Sequence, residues 1–238
     1  MKSDCLILKN VSKKFTNKII LENSNAIFQK GRITSLVAPN GRGKTTTISL
    51  ISGFLKPDSG NIIFPYGINY KNISIVFGGE KNLYMKNTVE ENIFFISQLR
   101  GLDRNAIREN LSKFKKIIPN YDELKGIVCE KLSHGQKRLV SVLSALVSDS
   151  KIIILDETTE GLDQNHISLL KLILKEIKKD KIIILCSQDY DFVESISDVI
   201  YFIKDNTFIE NTSLTKIKDE YTKHYGGVGY EIFKNTNC

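Results

Sequence analysis

The run Ala38-Pro39-Asn40-Gly41-Arg42-Gly43-Lys44-Thr45-Thr46 has the residue types and spacing of a loop that holds phosphate. Glycines let backbone N–H groups turn inward onto phosphate oxygens, and a helix opening directly after the loop points its positive end at them. Lys44 is placed to reach β- and γ-phosphates, and the Thr45 hydroxyl to ligate Mg²⁺. The usual pattern opens on Gly. Here that position is Ala38, a small change if its φ stays negative, and the core Gly43-Lys44-Thr45 is intact.

Two adjacent carboxylates, Asp156 and Glu157, follow the apolar run Ile152–Leu155. Ligands of parallel α/β sheets bind beyond the carboxyl ends of strands. Asp156 is therefore the candidate holder of a Mg²⁺ water shell. Glu157, one residue further, is the candidate base for an attacking water.

The elements that must position these residues are legible in the pattern. Leu6–Val11 and Ile19–Phe28 read as antiparallel strands around the turn residues Thr16 and Asn17. Arg32–Val37 reads as the strand before the loop, and Thr45–Ile51 as the helix after it, stopped by Gly53. Pro57–Gly60 reads as a turn and Ile73–Phe77 as another strand. From Thr88 the pattern turns helical. Thr88-Val89-Glu90-Glu91 fits a capping box, with Ile93, Phe94, Ile96 and Leu99 as an apolar stripe, and a second helix is expected over Asn105–Ile118. Lys151–Leu155 and Lys181–Leu185 are the same letters, Lys-Ile-Ile-Ile-Leu, each continuous and apolar as strands buried on both faces are. Ile167, Leu170, Leu174 and Ile177 between them have helical spacing, which makes a βαβ unit.

These elements predict an α/β fold: a phosphate-loop-type parallel sheet core with an antiparallel β edge and an inserted helical subdomain. The expected division is one domain over 1–238. Residues 1–84 and 151–204 form its core, 85–150 the helical insert, and 205–238 a C-terminal extension without a readable motif.

Composition narrows the setting. The chain has 238 residues, of which 41% are hydrophobic and 26% charged, as in ordinary globular proteins. No apolar run approaches the ~18–20 residues that cross a bilayer. Met1–Asn10 carries no secretion signal, so a cytosolic protein is expected. Cys5, Cys129, Cys186 and Cys238 are scattered and expected reduced, and His134, His166 and His224 lack zinc spacing. The formal charge of +7 is spread along the chain without a basic block, which argues for a solvated surface rather than a nucleic-acid partner.

Leu132-Ser133-His134-Gly135-Gln136, standing between the phosphate loop and Asp156, resembles the LSGGQ signature of the ATP-binding cassette (ABC) ATPases. It should open a helix with Ser133 as N-cap and its first N–H groups facing a phosphate. The resemblance spans roughly Leu6 to Ile203. It is nearest to the ATPase subunits of bacterial ABC-2-type exporters. It implies MgATP as ligand and Phe15 as the ring that stacks on adenine. It implies that Ser133, His134, Gly135 and Gln136 act on the ATP of a second nucleotide-binding subunit. Gly161-Leu162-Asp163 then matches the loop crossing that dimer interface, with Asp163 at its end. Ile75–Tyr84 matches the segment leading to membrane-spanning partner subunits. Such a subunit would lie on the cytoplasmic face of the membrane, with a partner subunit bound head to tail.

Four positions depart from the family pattern. Ala38 is one. Gly79 and Glu80 stand where the coupling loop carries Gln, and His134 replaces the first signature glycine. Gln188 follows Leu185-Cys186-Ser187 where a switch histidine is usual. Gln can hydrogen-bond a γ-phosphate but cannot become cationic. Two readings follow: an ATP-hydrolysing subunit with Glu157 and Gln188 as catalytic residues, or a degenerate subunit that binds ATP and supports the dimer while a partner hydrolyses. A soluble ABC ATPase acting on ribosomes or DNA usually needs two cassettes or special inserts, and neither is seen.

Overall fold

The computed structural model describes residues 4–79 and 82–211. Two sheets form. The long strands β1 (Cys5–Phe15) and β2 (Lys18–Gln29) pair antiparallel, and β4 (Ser59–Ile63) pairs on the far side of β1. The turn expected at Pro57–Gly60 is therefore shorter than read. Ser59 and Gly60 already belong to β4, a largely exposed strand with too little apolar alternation to be recognised.

The second sheet has six strands in the order β5-β6-β7-β3-β8-β9. These are β3 (Ile33–Val37), β5 (Ile73–Phe77), β6 (Ile152–Asp156), β7 (Ile182–Cys186), β8 (Val199–Lys204) and β9 (Thr207–Asn211). All neighbours are parallel except β8 and β9. The twin apolar runs are neighbouring strands in matched register, Ile152 beside Ile182 through Leu155 beside Leu185. The boundary expected after residue 204 is not one in the structure, because β9 pairs with β8 across it. Thr207–Asn211 is short and half polar, so its edge position left little signal.

Alternate residues of the strands feed two cores. Ile152, Ile154, Ile182, Ile184 and Leu36 face α1 (Lys44–Ile51) and the antiparallel sheet. Ile153, Leu155, Ile183, Leu185 and Val37 face α5 (His134–Val147), α6 (Gln164–Ile177) and α7 (Tyr190–Ile196). Burial on both faces is why these strands carry unbroken apolar runs. Residues 85–150 supply α2 (Val89–Leu99), α3 (Arg104–Phe114), the single turn α4 (Tyr121–Leu124) and α5. The expected second helix ends at Phe114, and Lys115–Ile117 tightens into a 3₁₀ turn before Pro119. Thr88 caps α2 through the expected box, its Oγ1 accepting from the Glu91 N–H at 3.2 Å. Fully buried Asn92 pins this region: its Oδ1 accepts from Tyr84 N–H, and its amide donates to the carbonyls of Tyr84, Asn87 and Thr88.

Candidate functional site: a nucleotide cleft between three strand ends

Strand β7 lies between β6 and β3, so the chain leaving each of these strands arrives at one place. There, a cleft of about 220 Å³ is lined by Pro39, Asn40, Gly41, Gly43, Lys44, Thr45 and Thr46 after β3. Asp156 and Glu157 line it from the end of β6, Gln188 from beyond β7, and Ile20 from β2. Ala38 and Arg42 do not line it. Ala38 is buried and is not among the residues with positive φ, so its methyl group fits without backbone strain.

The loop enters α1 at Gly43, whose φ of 104° places it in the left-handed region with no side-chain cap. The first N–H groups of α1 are left for a ligand, as a phosphate site requires. Lys44 is 7% exposed; its Nζ donates to the Ala38 carbonyl at 2.7 Å and stands 4.0 Å from Glu157 Oε1. From the antiparallel sheet, Lys18 Nζ donates to the Gly41 carbonyl at 3.4 Å. Phe15 sits at the end of β1, 43% exposed and outside the cleft lining, with Lys13 Nζ 5.6 Å from its ring centre.

Glu157 adopts a left-handed backbone, φ 50°, and its N–H donates to the Cys186 carbonyl at 2.8 Å. Such a conformation costs a non-glycine residue about 1 kcal/mol or more and is typical of functional turns. Gln188 grips the carboxylate twice: its backbone N–H donates to Oε2 at 3.1 Å and its side-chain amide to Oε1 at 3.2 Å. The same amide nitrogen donates to Asn40 Oδ1 at 2.8 Å. Both amide hydrogens of Gln188 are thus committed, one to the phosphate loop and one to the carboxylate.

Burial pushes the Asp156 carboxyl above the usual range, the charge of Glu157 pushes it the same way, and Lys44 opposes both. Two carboxylates against one lysine leave the cleft short of positive charge. With the Thr45 hydroxyl on the same lining, Asp156 suits Mg²⁺, which takes one or two carboxylates and fills its shell with phosphate and water. Among the described residues no trio of acidic, His or Cys side chains forms a metal cluster, and Mg²⁺ of this kind needs none.

The residues that resemble the signature, Ser133 to Gln136, lie outside this cleft, at the start of α5. Ser133 is the N-cap, accepting from Gln136 N–H at 3.2 Å, and Gln136 Oε1 accepts in return from Ser133 N–H at 2.9 Å. This box was legible in the Ser-x-x-Gln spacing and was missed. Ser133 and His134 are exposed and Gly135 is buried. Asp163 caps α6, its Oδ1 accepting from His166 N–H at 2.9 Å. Gly79, φ 71°, follows β5, and Glu80 lies outside the described residues. A Cβ on Gly78 would stand 2.9 Å from the Glu157 carbonyl oxygen, so this loop runs directly past the Glu157 turn. Sequence reasoning also missed Arg138 and Asn82, whose side chains both donate to the Phe77 carbonyl at the end of β5. Phe77 pairs with Asp156, so α5 is tied to the strand end that forms the cleft.

A loop-wrapped helix N-terminus facing two strand-end carboxylates defines the class of phosphate-loop nucleotide-binding proteins. Comparison places the chain more closely. The profile of the family described as ABC transporter matches residues 21–160, more than half of the chain, and the chain belongs to that family. Its domain is an ABC-type ATPase domain. The chain is 33% identical over 219 residues to the spermidine/putrescine import ATP-binding protein PotA of Clostridium acetobutylicum, covering 87% of this chain and 61% of that protein. It is 29% identical over 242 residues to ABC transporter A family member 8 of Dictyostelium discoideum, covering 95% of this chain and 28% of that protein. The chain thus spans less than two thirds of either relative. Among solved structures it is similar to cbiO1 from Clostridium perfringens, part of the ABC transporter complex cbiONQ. That match has a TM-score of 0.78 and 25% identity, covering 98% of this chain and 99% of that one.

Proposed function

We propose that this chain binds and hydrolyses MgATP as the nucleotide-binding subunit of an ABC transporter whose membrane-spanning subunits are separate chains. The observation that carries the reading is the convergence of Lys44, Thr45, Asp156, Glu157 and Gln188 on one cleft. The free N–H groups of α1 and Lys44 bind the phosphates. Thr45 and Asp156 would hold Mg²⁺, which would supply positive charge against the phosphates. Glu157 takes the proton of the attacking water, and Gln188 fixes the carboxylate that does so. Phe15, at the tip of the β1–β2 hairpin, is the stacking surface for adenine. Ser133, His134, Gly135 and Gln136, with Asp163, face the ATP of a second nucleotide-binding subunit bound head to tail.

A second cleft, of about 410 Å³, lies where β5 meets α2 and α5 and includes Tyr84, Leu99, Arg100 and Ser141. Leu99 is 69% and Tyr84 52% exposed, which suits a seat for a membrane subunit. No helix among the described residues is long and apolar enough to cross a membrane. The proposed attachment at the cytoplasmic face is through that partner. The proposed direction is export, on the resemblance of the motifs. A relative named for import makes direction something to measure in vesicles of each orientation.

The second reading, a degenerate subunit that binds ATP while a partner hydrolyses, draws support from Gln188, whose amide hydrogens are both committed inside the chain. Glu157→Gln decides between the two. In the assembled complex it should leave ATP binding intact, lower kcat by ~10²–10⁴ and trap an ATP-bound dimer on size exclusion. Wild-type turnover in Glu157→Gln would move hydrolysis to another chain.

A further inference from the structure

Gly135 is the second residue of α5, in ordinary helical backbone, where alanine is the better helix former. What excludes a side chain there is His166. A Cβ on Gly135 would stand 2.5 Å from Cδ2, 2.6 Å from Cγ and 2.6 Å from Nε2 of the His166 ring. The imidazole therefore lies flat against the first turn of α5. Its other edge faces the loop before α6: Nδ1 stands 2.9 Å from Asp163 Oδ2, while the His166 backbone N–H donates to Asp163 Oδ1 at 2.9 Å. The backbone hydrogen bond first, and the imidazole second, hold the Asp163 carboxyl below the usual range. The ring is three-quarters buried although it lies at the start of a surface helix. Nothing in the chemistry of the cleft explains it, since His166 is not among the residues that line it.

We infer that His166 is a positioning residue that fastens the signature turn (Ser133 to Gln136) to the dimer loop (Gly161 to Asp163), so that both meet a second subunit as one rigid surface. The inference rests on the proposed reading that these two segments act on the partner's ATP. Each segment alone is short and solvent-exposed: Ser133, His134, Gly161 and Asp163 are all on the surface. Two independently mobile segments would each lose conformational freedom on meeting a nucleotide. One ring wedged between them settles their relative placement beforehand. The glycine allows contact between ring and backbone, and the Asp163 carboxylate closes off the ring's far edge at 2.9 Å from Nδ1.

The test uses the complete chain with its natural partners, in the wild-type background for turnover and in Glu157→Gln for ATP-driven dimerisation. The variants are His166→Ala, Gly135→Ala, the double variant, and His166→Asn, which retains a side-chain nitrogen near Asp163. The expected result is that His166→Ala and Gly135→Ala each lower kcat, and raise the ATP needed for half-dimerisation, by about tenfold. The double variant should be no worse than the poorer single one, because both changes break the same contact. His166→Asn should recover part of the loss. MgATP binding to the separated chain, measured by calorimetry, should stay within about twofold of wild type in every variant. Thermal melts check that each variant is folded.

Multiplied losses in the double variant, or normal turnover and dimerisation in His166→Ala, would overturn the inference. A merely structural histidine would instead lower the melting temperature and weaken ATP binding in the separated chain along with turnover. Failure of the underlying reading shows separately: the Glu157→Gln chain would not dimerise with ATP even with His166 and Gly135 in place.

Discussion

Lys44→Ala is the sharpest perturbation of the cleft, and the structure sets its size. A lysine ammonium has three N–H donors. One is directed to the Ala38 carbonyl at 2.7 Å, which leaves two for the β- and γ-phosphates. Hydrogen bonds to charged groups contribute about 1.5–3 kcal/mol each, so two at the lower end amount to about 3 kcal/mol. At about 1.4 kcal/mol per tenfold, the Kd for MgATP should rise about a hundredfold or more. The truncation also strips the buried Ala38 carbonyl of its partner, at about 1–3 kcal/mol of fold stability, so binding must be measured well below the melting transition. Isothermal calorimetry on the folded variant reads the affinity, and Lys44→Arg controls for charge. A Kd within about threefold of wild type would refute both the donor count and the phosphate assignment.

Two further outcomes are expected. Asp156 has a raised carboxyl pKa in the fold, so its charged form is disfavoured there. The resulting destabilisation is fully present above the raised folded value and vanishes below the unfolded value of 3.8. Asp156→Asn should therefore raise the melting temperature of the nucleotide-free protein at neutral pH and remove the Mg²⁺-dependent part of ATP stabilisation, both read by thermal scanning. Gln188→His should raise turnover several-fold where two identical chains form both sites, and by less than about twofold where a partner supplies an intact site. A clear loss instead would show that the double grip on Asn40 and Glu157 is itself required.

The parallel core and the cleft were legible because their physics is local. A strand buried on both faces writes itself as Ile-Ile-Ile-Leu, and a phosphate loop as Gly43-Lys44-Thr45 between a strand and a helix. The exposed edges were not legible. Strands β4 and β9 take their backbone partners from β1 and β8, and their side chains record little of it. The grip of Gln188 on Asn40 was also out of reach of a linear reading. It depends on β7 lying between β6 and β3, and strand order is not written in any one segment. His166 is an intermediate case. Its place three residues after Asp163 marks a helix start, but its contact with Gly135 joins distant stretches of chain.

The twin strands β6 and β7 have a consequence for handling the protein. Residues 151–155 and 181–185 are interchangeable in sequence, and each is the other's native neighbour in matched register. In an incompletely folded chain, either segment is equally well complemented by its copy in another molecule. Uncharged β-branched runs of this kind are the seeds of cross-β aggregates. Lys151 and the pair Asp156 and Glu157 flank the first run as charged gatekeepers, whereas the second has Asp180 and Lys181 before it and uncharged Cys186, Ser187 and Gln188 after it. Concentration during refolding, rather than the intrinsic stability of the domain, should therefore set the soluble yield, and destabilised variants should precipitate before they lose nucleotide.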